Sequence, residues 1–152
     1  MSSEITKSIL IDAPASVIFK ALTDEKELVQ WMPRRAKMEA KVGGEYEFNF
    51  YRESNRSETV AKGKIVELVP NRKLVYTFVS SLGRSDVSQT LLTWTLEEES
   101  SGKTLVTLVH SGLAGTSFIL FMGWGFYLDR LAAHCPRMSA RNQPHLGGGS
   151  EY

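Results

Sequence analysis

Residues 118–135 read FILFMGWGFYLDRLAAHC, and the reading of this stretch decides the fold. On a helical wheel centred on Trp124, one side carries Leu120, Phe121, Tyr127, Leu128, Leu131 and Cys135. The other side carries Phe118, Ile119, Met122 and Phe126, followed by Asp129, Arg130 and Ala133. The spacing predicts one helix, apolar along its whole inner side, whose outer side turns polar only in the second half. A membrane span is the first explanation to test. Ser111 to Leu128 carries no charge, and a span takes about 20 apolar residues. Gly112, Gly115, Gly123 and Gly125, with Ser111, Thr116 and Ser117, dilute the segment too far. Spanning would also remove the only long helix available to cover the rest of the chain, so no membrane span is expected.

What this helix covers is written upstream. From Arg34 to Ser111 the texture is of strands and tight turns. Val42-Gly43-Gly44 precedes EYEFNFYR, in which Tyr46, Phe48 and Phe50 share a face. Ser54 to Ser57 turns into TVAKGKIVELV, and Pro70-Asn71-Arg72 into KLVYTFV, where Leu74, Tyr76 and Phe78 share a face. Leu82 to Ser85 leads to VSQTLLTWTLE, with Leu92, Trp94 and Leu96 opposite Thr93 and Thr95. Ser100-Ser101-Gly102 opens TLVTLVH, with Val106, Leu108 and His110 as one set. Such turn signals at short intervals imply an antiparallel meander. Residues 44–51, 73–79, 88–97 and 104–110 are expected as neighbouring antiparallel strands, with Phe48, Phe78 and Trp94 facing the helix. Alternation of apolar and polar residues leaves one sheet face wet and the other covered.

The N-terminal part supplies one more strand, ITKSILI (5–11), closed by Asp12-Ala13-Pro14. Two short helices follow. ASVIFKAL places Val17, Ile18, Ala21 and Leu22 at helical spacing, and Thr23 or Asp24 caps DEKELVQW, which Pro33 ends. The expected domain is 1–137. The tail from 138 to 152, glycine-rich and without periodicity, is expected to be disordered.

Composition narrows the function classes. A chain of 152 residues suits one domain and needs no disulfide or metal staple. Its one cysteine, Cys135, suggests a reducing compartment, and the start lacks a secretory leader, so a cytoplasmic location is expected. Without secretion, the sequon at Asn55 carries no meaning. Formal net charge is +1 with acids and bases intermixed, which argues against nucleic-acid binding. No CxxC, HExxH, GxxxxGK or GxGxxG spacing occurs, and His110, His134 and His145 have no metal-ligand spacing. No cofactor or metal is therefore expected.

IDAPASVIFKALTD, QWMP, VGGEYEF, GKIVELVPNRKLVYTF, LVTLVHSGL and GWGFYLDRLAAH, in that order, resemble START-like domains. Within that superfamily they are similar to the branch related to the C-terminal domain of the activator of the 90-kDa heat-shock chaperone ATPase. The resemblance covers roughly residues 4–135. It implies an α+β helix-grip fold (START-like, Bet v 1-like): a curved antiparallel sheet wrapped around a long C-terminal helix, with two short helices after the first strand. Relatives usually carry charged residues between the His110-Ser111-Gly112 stretch and Gly123-Trp124, where this chain has none.

On that fold the cavity candidates are Trp31, Tyr46, Phe48, Phe50, Tyr76, Phe78, Leu92, Trp94, His110, Phe121, Trp124, Tyr127 and Leu128. Apolar walls with a few polar groups (Tyr46, Tyr76, Tyr127, His110) suit a small hydrophobic or amphipathic molecule. Each aromatic taken alone equally suits a filled core. Trp31 is expected at the entrance, or against Pro33. His110 reads as a histidine bonded to neighbouring backbone, or as a donor or general base facing the cavity. Glu67 points inward by strict alternation with Gly63 and Ile65, and outward if a bulge intervenes. An enzyme in the same cavity (a cyclase, dehydratase or hydrolase) is one alternative; a chaperone-stimulating module is the other. The outer apolar set, Phe118, Ile119, Met122 and Phe126, predicts a homodimer, with an inward-folded lid as the alternative.

Overall fold

Asp24 stands between two helices and serves both. Its backbone N–H closes α1 (Ala15–Thr23) on Lys20, and its carboxylate accepts from the N–H of Lys26 at 2.8 Å to start α2 (Glu25–Trp31). Glu25 and Glu27 in the first turn of α2 complement its dipole. In the computed structural model, residues 3–52, 56–80, 89–113 and 118–142 are described. Before the two helices comes β1 (Ser3–Ile11). After them come β2 (Arg35–Met38), β3 (Glu45–Arg52), β4 (Ser57–Val69), β5 (Lys73–Ser80), β6 (Thr90–Glu98), β7 (Thr104–Leu113) and α3 (Phe118–Asn142).

The sheet order is β1-β7-β6-β5-β4-β3-β2, with every neighbouring pair antiparallel. Strands β2 to β7 form the meander read from the turn residues, and β1 returns to pair with β7. Of the four strands expected as neighbours, β5, β6 and β7 adjoin, while β4 separates β3 from β5. Turn chemistry falls where the sequence puts it: Gly43 and Gly102 take positive φ, as does Asn71. Along β6, Thr90, Leu92, Trp94 and Leu96 are buried and the residues between them are not, so the expected register holds.

Strict alternation fails on β4, at the one position where it decides a candidate residue. Ile65 pairs with Tyr76 but Glu67 pairs with Val75, so Val66 is an extra residue in a bulge. The bulge turns Glu67 outward, where it is exposed and meets Lys73 at 3.4 Å. The inward reading of Glu67 is thereby corrected.

Helix α3 lies across the concave face. Trp124, Leu128, Leu131 and Cys135 are buried, Tyr127 is half-buried, and Phe126, Asp129, Arg130 and Ala133 are exposed. From Trp124 to Cys135 the inner and outer sides follow the wheel drawn from the sequence. The helix runs to Asn142 with Pro136 inside it, past the boundary expected at 137. The side chains of Phe118, Ile119, Phe121 and Met122 lie outside the described residues, as do Asn55, the turn at 82–85 and residues 143–152. Among the described residues no helix is long and apolar enough to cross a membrane. The result is an α+β helix-grip fold with one core, between the concave face and the three helices.

Candidate ligand-binding site

Strands β3, β5, β6 and β7 send Tyr46, Phe48, Tyr76, Leu92, Trp94 and His110 inward, all buried. Against them stand Trp31 from α2 and Trp124 and Leu128 from α3. The rings meet edge to face or tilted, the arrangement that ring quadrupoles favour. Trp124 contacts Trp94 (5.9 Å between centroids), Phe78 (6.3 Å) and His110 (6.1 Å). Tyr46 lies 4.6 Å from Tyr76, and Phe50 lies 5.9 Å from Tyr127. Trp31 is 0% exposed, donates its indole N–H to the Ala21 carbonyl and packs edge-on to Trp94. It belongs to the packed core, not to an exposed position. The half-buried members, Phe50, Phe78 and Tyr127, mark the margin where the aromatic set reaches solvent.

The polar groups are mostly paired with one another. Trp124 donates to His110 Nδ1 at 3.1 Å, which leaves the proton on Nε2. That N–H faces Thr90 Oγ1 at 2.8 Å, and the Thr90 hydroxyl donates to the Phe78 carbonyl. Four elements (α3, β7, β6 and β5) are joined by this chain. Burial holds the His110 imidazole down to a pKa of about 4, so it is neutral near pH 7. Both ring nitrogens are engaged, and neither is free to take a substrate proton.

Tyr46 is tied across the sheet. Its hydroxyl donates to the Thr77 carbonyl at 2.7 Å, while the Lys64 N–H turns to Thr77 Oγ1 at 2.8 Å. Gly63 lies between them because a Cβ there would strike the Thr77 carbonyl oxygen. Trp94 donates to the Tyr76 hydroxyl at 3.0 Å. Burial raises both phenols well above their ordinary range, so both stay protonated.

Several residues join this region that the sequence reading did not single out. Thr90 completes the His110 chain; its alternation with Leu92 and Trp94 is the signal that could have found it. Lys7 shares the inward set of Ile5, Ile9 and Ile11, and its ammonium reaches the α3 backbone at Gly125, where a Cβ would stand 2.8 Å from Nζ. Arg130 Nε donates to the Trp31 carbonyl at 2.7 Å, and His134 Nε2 meets Glu27 Oε1 at 2.8 Å, clasping α2 to α3. Neither bond has a sequence signature, since each joins residues about a hundred positions apart. Cys135 is buried beside them, its thiol pushed up to about 12 by burial and the Glu27 carboxylate. On the outer face of β3–β5 lies an open groove of about 1240 Å³, lined by Glu47, Lys62, Lys64, Val66 and Val79 among others. Of the expected cavity residues only Tyr46 touches it.

The family model described as activator of Hsp90 ATPase homolog 1-like protein matches residues 12–135. Among solved structures, protein CV1439 from Chromobacterium violaceum is similar at a TM-score of 0.75 and 26% identity, covering 86% of this chain and 95% of that one. Protein SA2116 from Staphylococcus aureus is similar at a TM-score of 0.77 and 16% identity, covering 93% and 98%. The Aha1 dimer from Colwellia psychrerythraea, a solution structure, is similar at a TM-score of 0.70 and 21% identity, covering 93% and 99%. No curated protein matches the chain significantly.

Proposed function

The chain belongs to the activator of Hsp90 ATPase homolog 1-like family, and from that premise we propose that it binds a small hydrophobic or amphipathic molecule between the sheet and α3. One observation carries the reading: aromatic side chains from three strands converge on Trp124 and Tyr127, and their margin at Phe50, Phe78 and Tyr127 is only half-buried. Apolar walls with few polar groups are what small-molecule sites present. The enzyme alternative is the weaker one, because His110 has no unengaged nitrogen. Stimulation of a 90-kDa heat-shock chaperone is a second reading, favoured by the family's description alone. The single buried thiol fits a cytoplasmic location.

The test is a thermal shift with apolar probes. A ligand at a hundred times its Kd stabilises the folded chain by about 2.7 kcal/mol. Tyr127→Ala and Trp124→Leu should weaken binding, and Thr93→Ala and Thr95→Ala on the opposite face should not. Folding of each variant is checked first, since truncating a large buried aromatic costs roughly 3–5 kcal/mol. If no apolar probe shifts the melting temperature at saturation, the reading fails.

A further inference from the structure

Among the inward polar groups, one hydrogen-bond donor stands apart. The indole N–H groups of Trp31, Trp94 and Trp124 are each given to an acceptor. The hydroxyls of Tyr46, Thr90 and Thr104 donate to backbone carbonyls. Tyr127 is partnered. Tyr76 differs: its oxygen accepts from Trp94, and among the described residues no acceptor stands against its own proton. The residue is 2% exposed, at the centre of the concave face. A buried donor left unmet costs roughly 1–3 kcal/mol, which an oxygen of a bound molecule would recover. Accepting from Trp94 also polarises the O–H and makes it a better donor.

The surroundings define what that oxygen can be. The inward ammonium is that of Lys7 on β1, which stands against the α3 backbone at Gly125, and the strand order β1-β7-β6-β5 sets the backbones of Lys7 and Tyr76 three strands apart, roughly 14 Å at ordinary strand spacing. The Glu27–His134 pair is already closed on itself at the α2–α3 contact. Among the described residues no cation contacts the Tyr76 hydroxyl, so an anionic group there would be buried against one neutral donor, which is unfavourable. A neutral oxygen suffers no such penalty.

The geometry points to Tyr76 as the polar recognition group of the site, its hydroxyl donating to one uncharged oxygen (a ketone, ester or ether) of an otherwise apolar ligand, in preference to a carboxylate or phosphate. This assignment rests on the apolar-ligand reading above. It is tested on the full chain with three probes. These are a neutral naphthyl ketone (6-propionyl-2-dimethylaminonaphthalene), diphenylhexatriene, which has no hydrogen-bonding atom, and dodecanoate. The expected result is that the ketone binds more tightly than dodecanoate. Tyr76→Phe should raise the ketone's Kd about tenfold, the worth of one neutral hydrogen bond, and leave that of diphenylhexatriene within about twofold. Because Tyr76→Phe also deprives Trp94 of its acceptor, the wild-type protein supplies an independent readout: the infrared carbonyl stretch of the bound ketone should fall to its hydrogen-bonded frequency. An unshifted carbonyl, a ketone bound equally by both forms, an equal loss for both neutral probes, or dodecanoate as the tightest ligand would each overturn the assignment while leaving an apolar site standing. Failure of all three probes to bind the wild type would overturn both.

Discussion

The indole of Trp124 gives its hydrogen to Nδ1 of His110 across 3.1 Å, and this bond fastens the final helix to the last strand. It also fixes the histidine as an acceptor on that nitrogen. A proton added at Nδ1 removes the acceptor and leaves a charge among Phe78, Trp124 and Leu92, with Ile5 opposite on β1.

Stability should therefore depend on pH through His110. The folded pKa, about 4, lies below the ordinary value of 6.5, so between these limits the unfolded chain binds more protons. The contribution is fully present above about pH 6.5 and is lost as pH falls toward 4. Urea denaturation midpoints should decline from pH 6.5 to 5, before most carboxylates titrate, and His110→Asn should flatten that decline. A variant with the wild-type slope would remove His110 from the account.

Gly63 should tolerate no side chain. A methyl group there meets the Thr77 carbonyl oxygen, part of the rigid backbone of β5 and already the acceptor for Tyr46. Gly63→Ala should cost about 1–3 kcal/mol, the usual range for overpacking, while Gly102→Ala, with open space around it, should be limited to its backbone strain. Chemical denaturation of the two variants decides this. Equal stability of Gly63→Ala and wild type would mean that β4 and β5 can part at no cost.

Phe126 stands 58% exposed on the back of α3, its ring near the Arg130 guanidinium at 5.6 Å. Twofold pairing of two copies through this side would cover the ring without a second protein, as the uncharged stretch before it leads one to expect. Sedimentation at micromolar concentration should reveal reversible self-association, and Phe126→Lys should weaken it with far-ultraviolet circular dichroism unchanged. A wild-type protein that sediments only as a monomer would end the homodimer expectation.

The sequence alone determined the element types, the inner faces of β3, β5, β6 and β7 and the wheel of α3 from Trp124 to Cys135, because each rests on a local period of two or 3.6 residues. The same periods put Trp94, Phe48 and Tyr76 on the concave face, and the turns at Gly43, Asn71 and Gly102 followed from residues that accept positive φ. Local period could not reveal which inward polar groups would satisfy one another. His110 became an engaged, neutral ring only because β6 brings Thr90 to one nitrogen and α3 brings Trp124 to the other. Glu67 left the interior because of one bulged residue, Val66, which breaks the very alternation used to place it. Trp31, expected at an entrance or against Pro33, lies in the core, where α2 is clasped from α3 by Arg130 and His134 across a hundred residues of chain. Hydrogen bonding pairs groups by distance in space, and that distance is set by the closed sheet and the helix it grips, not by spacing along the chain.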